Sequence, residues 1–412
     1  MNILFVHQNF PGQYKHLIDY LAKKDGVTIV GLGINALKIK VSKRVSYKRY
    51  EPKRGNTEDL DPLLIETETK VIRGEACAEA ALQLKHDGFQ PDIICAHPGW
   101  GEALFLRDIW PKAPLLSYQE FWYEPNQQDH LFDPEFTQNT TWRESARIRM
   151  RTNAILHALN NSAWNISPTE FQKNSFPIHW QQYITTLHDG IDTQAIHPAT
   201  KVSPITLPDG SRLDHSEEII TYVNRAIEPY RGCHTLIRAI PRLQQLAPNA
   251  HLIIIGDPNI NGYGKRLSHM TWAEYFFKEI QGDFDPSKVH ITGTLPYDNY
   301  LHLLQLSKAH IYLTYPFVLS WSLLEAMSAG CRIIGSSTKP VQEIIDHGIN
   351  GLLVDFFDPN QLAETTAEVI KNNSMGTHMG IMARKTILER YSLHHCIPKH
   401  VNLLQDICNN RT

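Results

Sequence analysis

Residues 315–337 read YPFVLSWSLLEAMSAGCRIIGSS. An extended run ends at Pro316, and a helix is expected to start near Ser320–Ser322, carrying Leu323, Leu324, Ala326 and Met327 on its apolar side. A second apolar run, Cys331–Gly335, then reads as a strand, so the stretch is strand, loop, helix, strand. Backbone N–H groups exposed at such a helix start suit an anion such as a diphosphate. Glu325 lies one turn inside, where a carboxylate accepts hydrogen bonds from vicinal hydroxyls such as those of a ribose. The competing reading is local, since Ser322-x-x-Glu325 also fits a capping box.

The same grammar extends in both directions. Upstream, strand-like runs occur at Ile219–Val223, Leu252–Gly256, Val289–Gly293 and Ala309–Tyr315, and downstream at Gly351–Val354, with helical stretches between. The N-terminal half opens on the β-rich run Ile3–Val6, a turn at Gln8–Gly12, a helical pattern through Leu17 and Leu21, and a run at Val27–Leu32. It continues with strands at Pro91–Ala96, Leu115–Tyr118 and Ala163–Ser167, a helix over Gly101–Trp110 and an amphipathic helix over 143–160. Alternating strands and helices predict parallel sheets covered on both faces. The polar stretch 199–218 marks the expected boundary, giving domains 1–198 and 199–388 with a helical stretch 389–412 at the end. In doubly wound domains ligands sit at the carboxyl ends of strands, here in a cleft between the two.

The 412 residues suggest two or three domains at roughly 150 residues each. A hydrophobic fraction of 42% with 20% charged residues excludes disordered, collagen-like and coiled-coil classes. A net charge of −3 gives no reason to expect nucleic acid as partner. Six cysteines without CxxC spacing indicate neither a zinc site nor a disulfide framework, which fits a reducing cytoplasm. No apolar run is long enough to span a bilayer, and MNILFVHQNFPGQY reads as a first buried strand, not a signal peptide.

LLEAMSAGCRIIGSSTKPVQEIIDHGINGLLVDFFDPNQLAE (323–364) resembles the donor-binding region of family 4 glycosyltransferases of GT-B fold, two Rossmann-like doubly wound domains. Glu325 matches the second Glu of that family's Glu-x7-Glu motif. The first would fall at Phe317, where Phe317-Val318-Leu319-Ser320-Trp321 replaces the sugar-contacting Glu and its glycines. YVNRAIEPYRGCHTLIRAIPRL (222–243) resembles the family's phosphate loop, with Arg225 and Arg231 matching its arginine and lysine and Asn224 replacing its usual Gly. Forked guanidinium groups suit phosphate oxygens, although a lone Arg at a helix start is often only solvated. Gly256 resembles backbone near the nucleotide, and Thr294 and Leu295 would lie near the base by the same resemblance. Gly256 has a plain reading as a turn residue. HQNFPGQYKHL resembles the first strand–helix loop, where Gly12 lets backbone approach ligand. CAHPGWGEALFLRDIWP resembles the segment that supplies the active-site histidine, which matches His97. Resemblance covers nearly the whole chain, including FVHQNFPGQY, SYQEFWY, SPTEFQKNSFP and HDGID, and points to a bacterial subgroup in which Phe replaces the first Glu. It also implies a last helix that crosses back to the first domain.

The expected function is then retaining transfer of a sugar from a nucleoside diphosphate donor to a hydroxyl of a glycan or lipid-linked acceptor. Arg225 and Arg231 would neutralise the leaving diphosphate beside Ser320 and Trp321, Glu325 would hold the ribose, and His97 would face the reacting sugar. Neither metal nor cofactor is expected, and Asp283-Phe-Asp285 is read as a loop before a strand. Sequons at Asn139, Asn160, Asn165 and Asn372 carry no meaning without secretion. The alternatives are an inactive nucleotide-sugar-binding scaffold, kept open by Phe317, and a GT-B epimerase or inverting transferase using Glu120 or Glu124 as base. For Asp189 a turn role is preferred. The basic run Lys38–Arg54 reads either as a solvated face or as a contact for anionic lipid at the inner face of the membrane.

Overall fold

The computed structural model describes residues 1–126, 128–137, 141–199, 201–260, 262–264 and 267–409; of the sequons, Asn139 lies outside them. The chain forms two compact units, 1–190 with 393–412, and 191–392. The division thus falls before the expected 198/199 boundary.

Unit 1 holds seven strands: β1 (Asn2–Val6), β2 (Thr28–Gly33), β3 (Val45–Arg49), β4 (Ile93–Ala96), β5 (Leu115–Tyr118), β6 (Trp164–Ser167) and β7 (Ile184–Thr186). They form one all-parallel sheet in the order β3-β2-β1-β4-β5-β6-β7. Its strands are apolar on both faces because both are covered. Ile3 and Phe5 of β1, with Ile93 and Cys95 of β4, enter one cluster. Their neighbours Leu4, Val6, Ile94 and Ala96 enter the other, the two-residue alternation of a strand. Helix Leu393–Asn409 belongs to this unit, since Ile397 and Leu404 complete the cluster of Ile3 and Phe5.

Unit 2 begins with a small antiparallel pair, β8 (Ile205–Thr206) and β9 (Arg212–Leu213). Its main sheet is β10 (Ile219–Ala226), β11 (His251–Asp257), β12 (Val289–Gly293), β13 (Ala309–Tyr312), β14 (Ile333–Ser336) and β15 (Leu352–Val354). The order β12-β11-β10-β13-β14-β15 is again all parallel. In both sheets the strand order reverses beside the first strand, between β1 and β4 and between β10 and β13. Those crevices are where doubly wound sheets bind ligands.

Three local expectations are corrected. The helix expected over Gly101–Trp110 is confined to Leu106–Ile109, because Gly101 adopts φ +102 and ends a 3-10 turn at Pro98–Trp100. The helix expected over 143–160 is two helices, Trp142–Met150 and Asn153–Asn161. The break at Arg151 exposes a carbonyl that accepts from Lys70 Nζ at 2.6 Å. The 22-residue helix Ile65–His86 has no counterpart in the sequence reading; its buried positions include Gly74, Ala76 and Ala81, too small to mark an apolar stripe. All six cysteines are free thiols, and among the described residues no helix is long and apolar enough to cross a membrane.

Candidate functional site

In unit 2 the chain after β10 and the chain after β13 are knitted together by Arg231. The guanidinium is buried, and its Nη1 donates to Thr314 Oγ1 at 2.8 Å and to the Val318 carbonyl at 3.0 Å. Tyr312 Oη lies 3.5 Å from the same nitrogen and accepts from the Ser320 amide at 2.9 Å. Ser320 caps helix Trp321–Ser328, its Oγ accepting from the Ser322 amide. Burial alone would lower the Arg231 pKa, but the hydroxyls of Tyr312 and Tyr263 and the Glu228 carboxylate hold it above the ordinary value. Arg225 is exposed at the bulged end of β10, its guanidinium 5.9 Å from the centre of the Tyr263 ring, and Arg231 stands 5.5 Å from the same ring. Two cations therefore stand about the Tyr263 ring, and Arg231 is tied to the loop that leads into the capped helix, an arrangement that attracts phosphate oxygens.

Glu325 is not part of a capping box, because the cap is Ser320 and not Ser322. Its Oε1 accepts from Tyr297 at 2.8 Å and its Oε2 from Tyr300 at 2.7 Å. A carboxylate has about four lone-pair sites, so two tyrosyl hydroxyls fix its orientation and leave capacity for diol hydroxyls. Thr294 and Leu295 follow β12 and lead directly into helix Tyr297–Leu306, which supplies both tyrosines. Thr294 is exposed, whereas Leu295 packs on the unit 2 core. Gly256 is buried within β11, where a Cβ would fall 2.7 Å from the Asn224 carbonyl; strand packing accounts for the glycine.

Phe317 is buried, edge-on to Tyr230 at 5.6 Å and to Tyr263 at 4.7 Å. Its position thus carries an aromatic packing role. The same loops bury Glu228, which the sequence reading passed over. Burial pushes this carboxyl up to about 7 against the pull of Arg231, the Tyr263 backbone and Arg225. Its Oε2 makes no hydrogen bond among the described residues, and a Cβ at Gly262 would fall 1.7 Å from that oxygen. Asp285 of the Asp-Phe-Asp run accepts from the Ser287 amide and hydroxyl, holding a turn.

In unit 1 the loops after β1 and β4 bring two histidines together. His97 is buried at the start of the Pro98–Trp100 turn. Its Nδ1 accepts from the Gly99 amide at 3.2 Å, so the ring proton resides on Nε2, which lies 3.6 Å from Glu120 Oε2. Trp100 stacks on the His97 ring at 4.1 Å and Tyr118 lies nearly parallel at 5.7 Å. Gln13 donates to the other Glu120 oxygen at 3.2 Å. Burial alone would raise the Glu120 pKa; the His97 and His7 rings and the Gln13 amide outweigh it and bring the carboxyl below its usual value. His7 is held neutral, pushed down to about 3 by burial with the His97 ring behind it. Gly12 has φ +53, and a Cβ there would fall 2.4 Å from the His7 ring, so glycine is what lets this loop close. Asp189 is buried and accepts from Tyr118 Oη at 3.2 Å. The basic run is partly neutralised within unit 1, Arg49 pairing with Glu51, Lys53 with Glu79 and Arg54 with Glu68.

Both units match family models. Residues 26–196 match the glycosyl transferase family 4 group, and residues 206–386 match glycosyl transferases group 1. Each unit thus resembles a glycosyltransferase domain, and the chain has the GT-B fold. Over its whole length this GT-B chain superposes on sucrose-phosphate synthase from Thermosynechococcus elongatus, with a TM-score of 0.73 and 14% identity over 99% of each chain. It likewise superposes on HepE of Anabaena, solved in complex with UDP, with a TM-score of 0.65 and 17% identity over 98% of this chain and 100% of that one. Among curated relatives, an uncharacterised glycosyltransferase of Methanocaldococcus jannaschii is 23% identical over 44% of this chain and 43% of its own. Spore coat protein SA of Bacillus subtilis is 24% identical over 48% and 52%. The chain thus spans about half the length of the curated relatives it matches first.

Proposed function

We propose that the chain transfers a sugar from a nucleoside diphosphate sugar held by unit 2 to a hydroxyl of an acceptor held by unit 1. The observation that carries this reading is the cradle of Arg225, Arg231 and the Ser320-capped helix beside Glu325. HepE, of the same fold, was solved with UDP and with UDP-glucose, which supports a nucleotide-sugar donor here.

Arg231 presets the 314–320 loop and supplies a fixed positive charge, and exposed Arg225 closes on the diphosphate as the glycosyl bond breaks. Charge placed in advance where the leaving group develops it lowers the barrier without reorganisation. Glu325, fixed by its two tyrosines, takes the ribose diol. His97 offers its Nε2–H to the reacting sugar, its ring set by the Gly99 amide on Nδ1 and by stacking on Trp100. The family resemblance extends this to retention of anomeric configuration without a metal, to glycan or lipid-linked acceptors of surface polysaccharide synthesis, and to action in the cytoplasm. Contact of the Lys38–Arg54 run with the membrane would rest on its unpaired lysines.

Calorimetric titration with UDP, GDP and ADP, with magnesium and with EDTA, tests the donor half. One nucleotide should bind irrespective of metal, and Arg225→Ala and Glu325→Ala should each weaken it about tenfold or more. Transfer from the matching nucleotide sugar should then fall in His97→Ala with nucleotide affinity unchanged. Nucleotide binding with no sugar released to any acceptor or to water would instead favour the scaffold reading that Phe317 suggests.

A further inference from the structure

In unit 1 Arg49, Lys53, Arg54, Arg143 and Arg151 all sit in ion pairs. Lys70 and Arg73 do not. They lie three residues apart on helix Ile65–His86, hence on one face, and both line a cavity of about 270 Å³ shared with His97, Trp100 and Glu120. Both are half-buried, and among the described residues neither has a carboxylate within ion-pair range. Lys70 donates to the Arg151 carbonyl and Arg73 donates to Gln8 Oε1 at 3.3 Å, both neutral acceptors. Of the acids lining the same cavity, Glu66 pairs with Arg151 at 3.4 Å and acts on Lys70 at longer range, and Glu120 accepts from Gln13.

This placement is built into the backbone. A Cβ at Gly101 would fall 2.2 Å from the Lys70 carbonyl oxygen, and one at Gly74 would fall 2.9 Å from the Gly101 carbonyl. Two glycines let the helix close on the His97 turn, carrying two cations to the histidine. Glu66 acts on Lys70 and Glu102 on Arg73 only at longer range, so partly buried cations held directly by neutral acceptors gain from a ligand that brings an anion.

We propose that this cavity binds the acceptor through an anionic group, a phosphate monoester or a carboxylate, held by Lys70 and Arg73. The acceptor ring then lies against Trp100, and its hydroxyl is presented to His97. The inference rests on unit 1 being the acceptor side of the transfer reaction. Lys70, pushed down to about 8 by burial, remains protonated at neutral pH and so keeps its charge for the anion.

The test uses the full chain and simple probes: methyl phosphate, malonate and neutral methyl glucoside, titrated calorimetrically at constant ionic strength while the His97 ring resonances are followed by NMR. At least one anion should bind saturably and shift His97, with methyl glucoside at least about tenfold weaker. The tighter of methyl phosphate and malonate names the group. Arg73→Gln and Lys70→Gln should each weaken that anion about tenfold, Arg73→Lys should restore part of the loss, and UDP binding should be unchanged in all three. Failure of both anions to saturate, equal binding of the neutral glucoside, or anion binding that survives both Gln variants would overturn the proposal. UDP binding without anion binding breaks this assignment alone, whereas anion binding without any nucleotide binding breaks the transfer reading and leaves the cavity assigned.

Discussion

The two switch-point crevices share a topology and differ in how their polar groups are satisfied. In unit 2 the groups largely satisfy one another: Arg231 binds Thr314 and Val318, Tyr312 binds Ser320, and Tyr297 and Tyr300 share Glu325. In unit 1 the corresponding crevice is left open, with His97 Nε2 beyond hydrogen-bond distance of Glu120 and with Lys70 and Arg73 donating to neutral acceptors. One strand order thus supports a site assembled in advance and a site that awaits its charge from outside.

Removing the central tie of unit 2 should break this contrast most severely. Arg231→Ala strands the Thr314 hydroxyl and the Val318 carbonyl, and about 4 kcal/mol of stability should be lost in urea unfolding, together with nucleotide binding. Wild-type stability in that variant would mean the loop holds itself. Next is Gly101→Ala, which places a methyl against the Lys70 backbone at a left-handed φ; about 3 kcal/mol should be lost. Methyl phosphate binding should go with it and UDP binding should stay, so equal losses of both ligands would count against two separate sites.

Glu228 is the exception that sharpens the comparison, a carboxylate oxygen of unit 2 without a hydrogen bond. Its pKa is about 7 folded against 4.5 unfolded, so the unfolded chain releases the proton first and stability declines as pH rises from 4.5 to 7. Glu228→Gln should therefore raise stability by about 2 kcal/mol at pH 8 and by nothing at pH 4. A gain independent of pH, read from thermal midpoints, would show that the carboxyl is ionised throughout. The smallest effect belongs to Tyr300→Phe, which removes the bond to Glu325 Oε2 and should cost about 1 kcal/mol, with a few-fold loss in nucleotide affinity. An unchanged affinity would mean that the carboxylate is oriented without Tyr300.

Most strands of the two main sheets were legible as short apolar runs, and β5 and β12 fall where the sequence puts them, whereas β3 and β7 were not named. The helix start at Trp321 was legible for a related reason, a serine before an apolar helical face. Helix Ile65–His86 was not, since it packs through glycine and alanines, and with it went Lys70 and Arg73. Glu325 was found as a residue and misplaced as a cap, because the tyrosines that hold it are 25 and 28 residues away. Glu228 was missed because its environment is made by Gly262 and Tyr263, on a loop that no local pattern joins to it.

The chain leaves unit 1 at Gly190 and returns at Leu393, with Ile191 bridged to Ser392 at the crossing. This order of segments has a consequence for synthesis. A ribosome finishes the second unit, one continuous segment, before the first unit receives helix Leu393–Asn409, which covers Ile3 and Phe5. Ile3 and Phe5 are thus made before the second unit and covered only after it, and a nascent chain stalled near residue 392 would present a finished second unit together with a first one still open to chaperones.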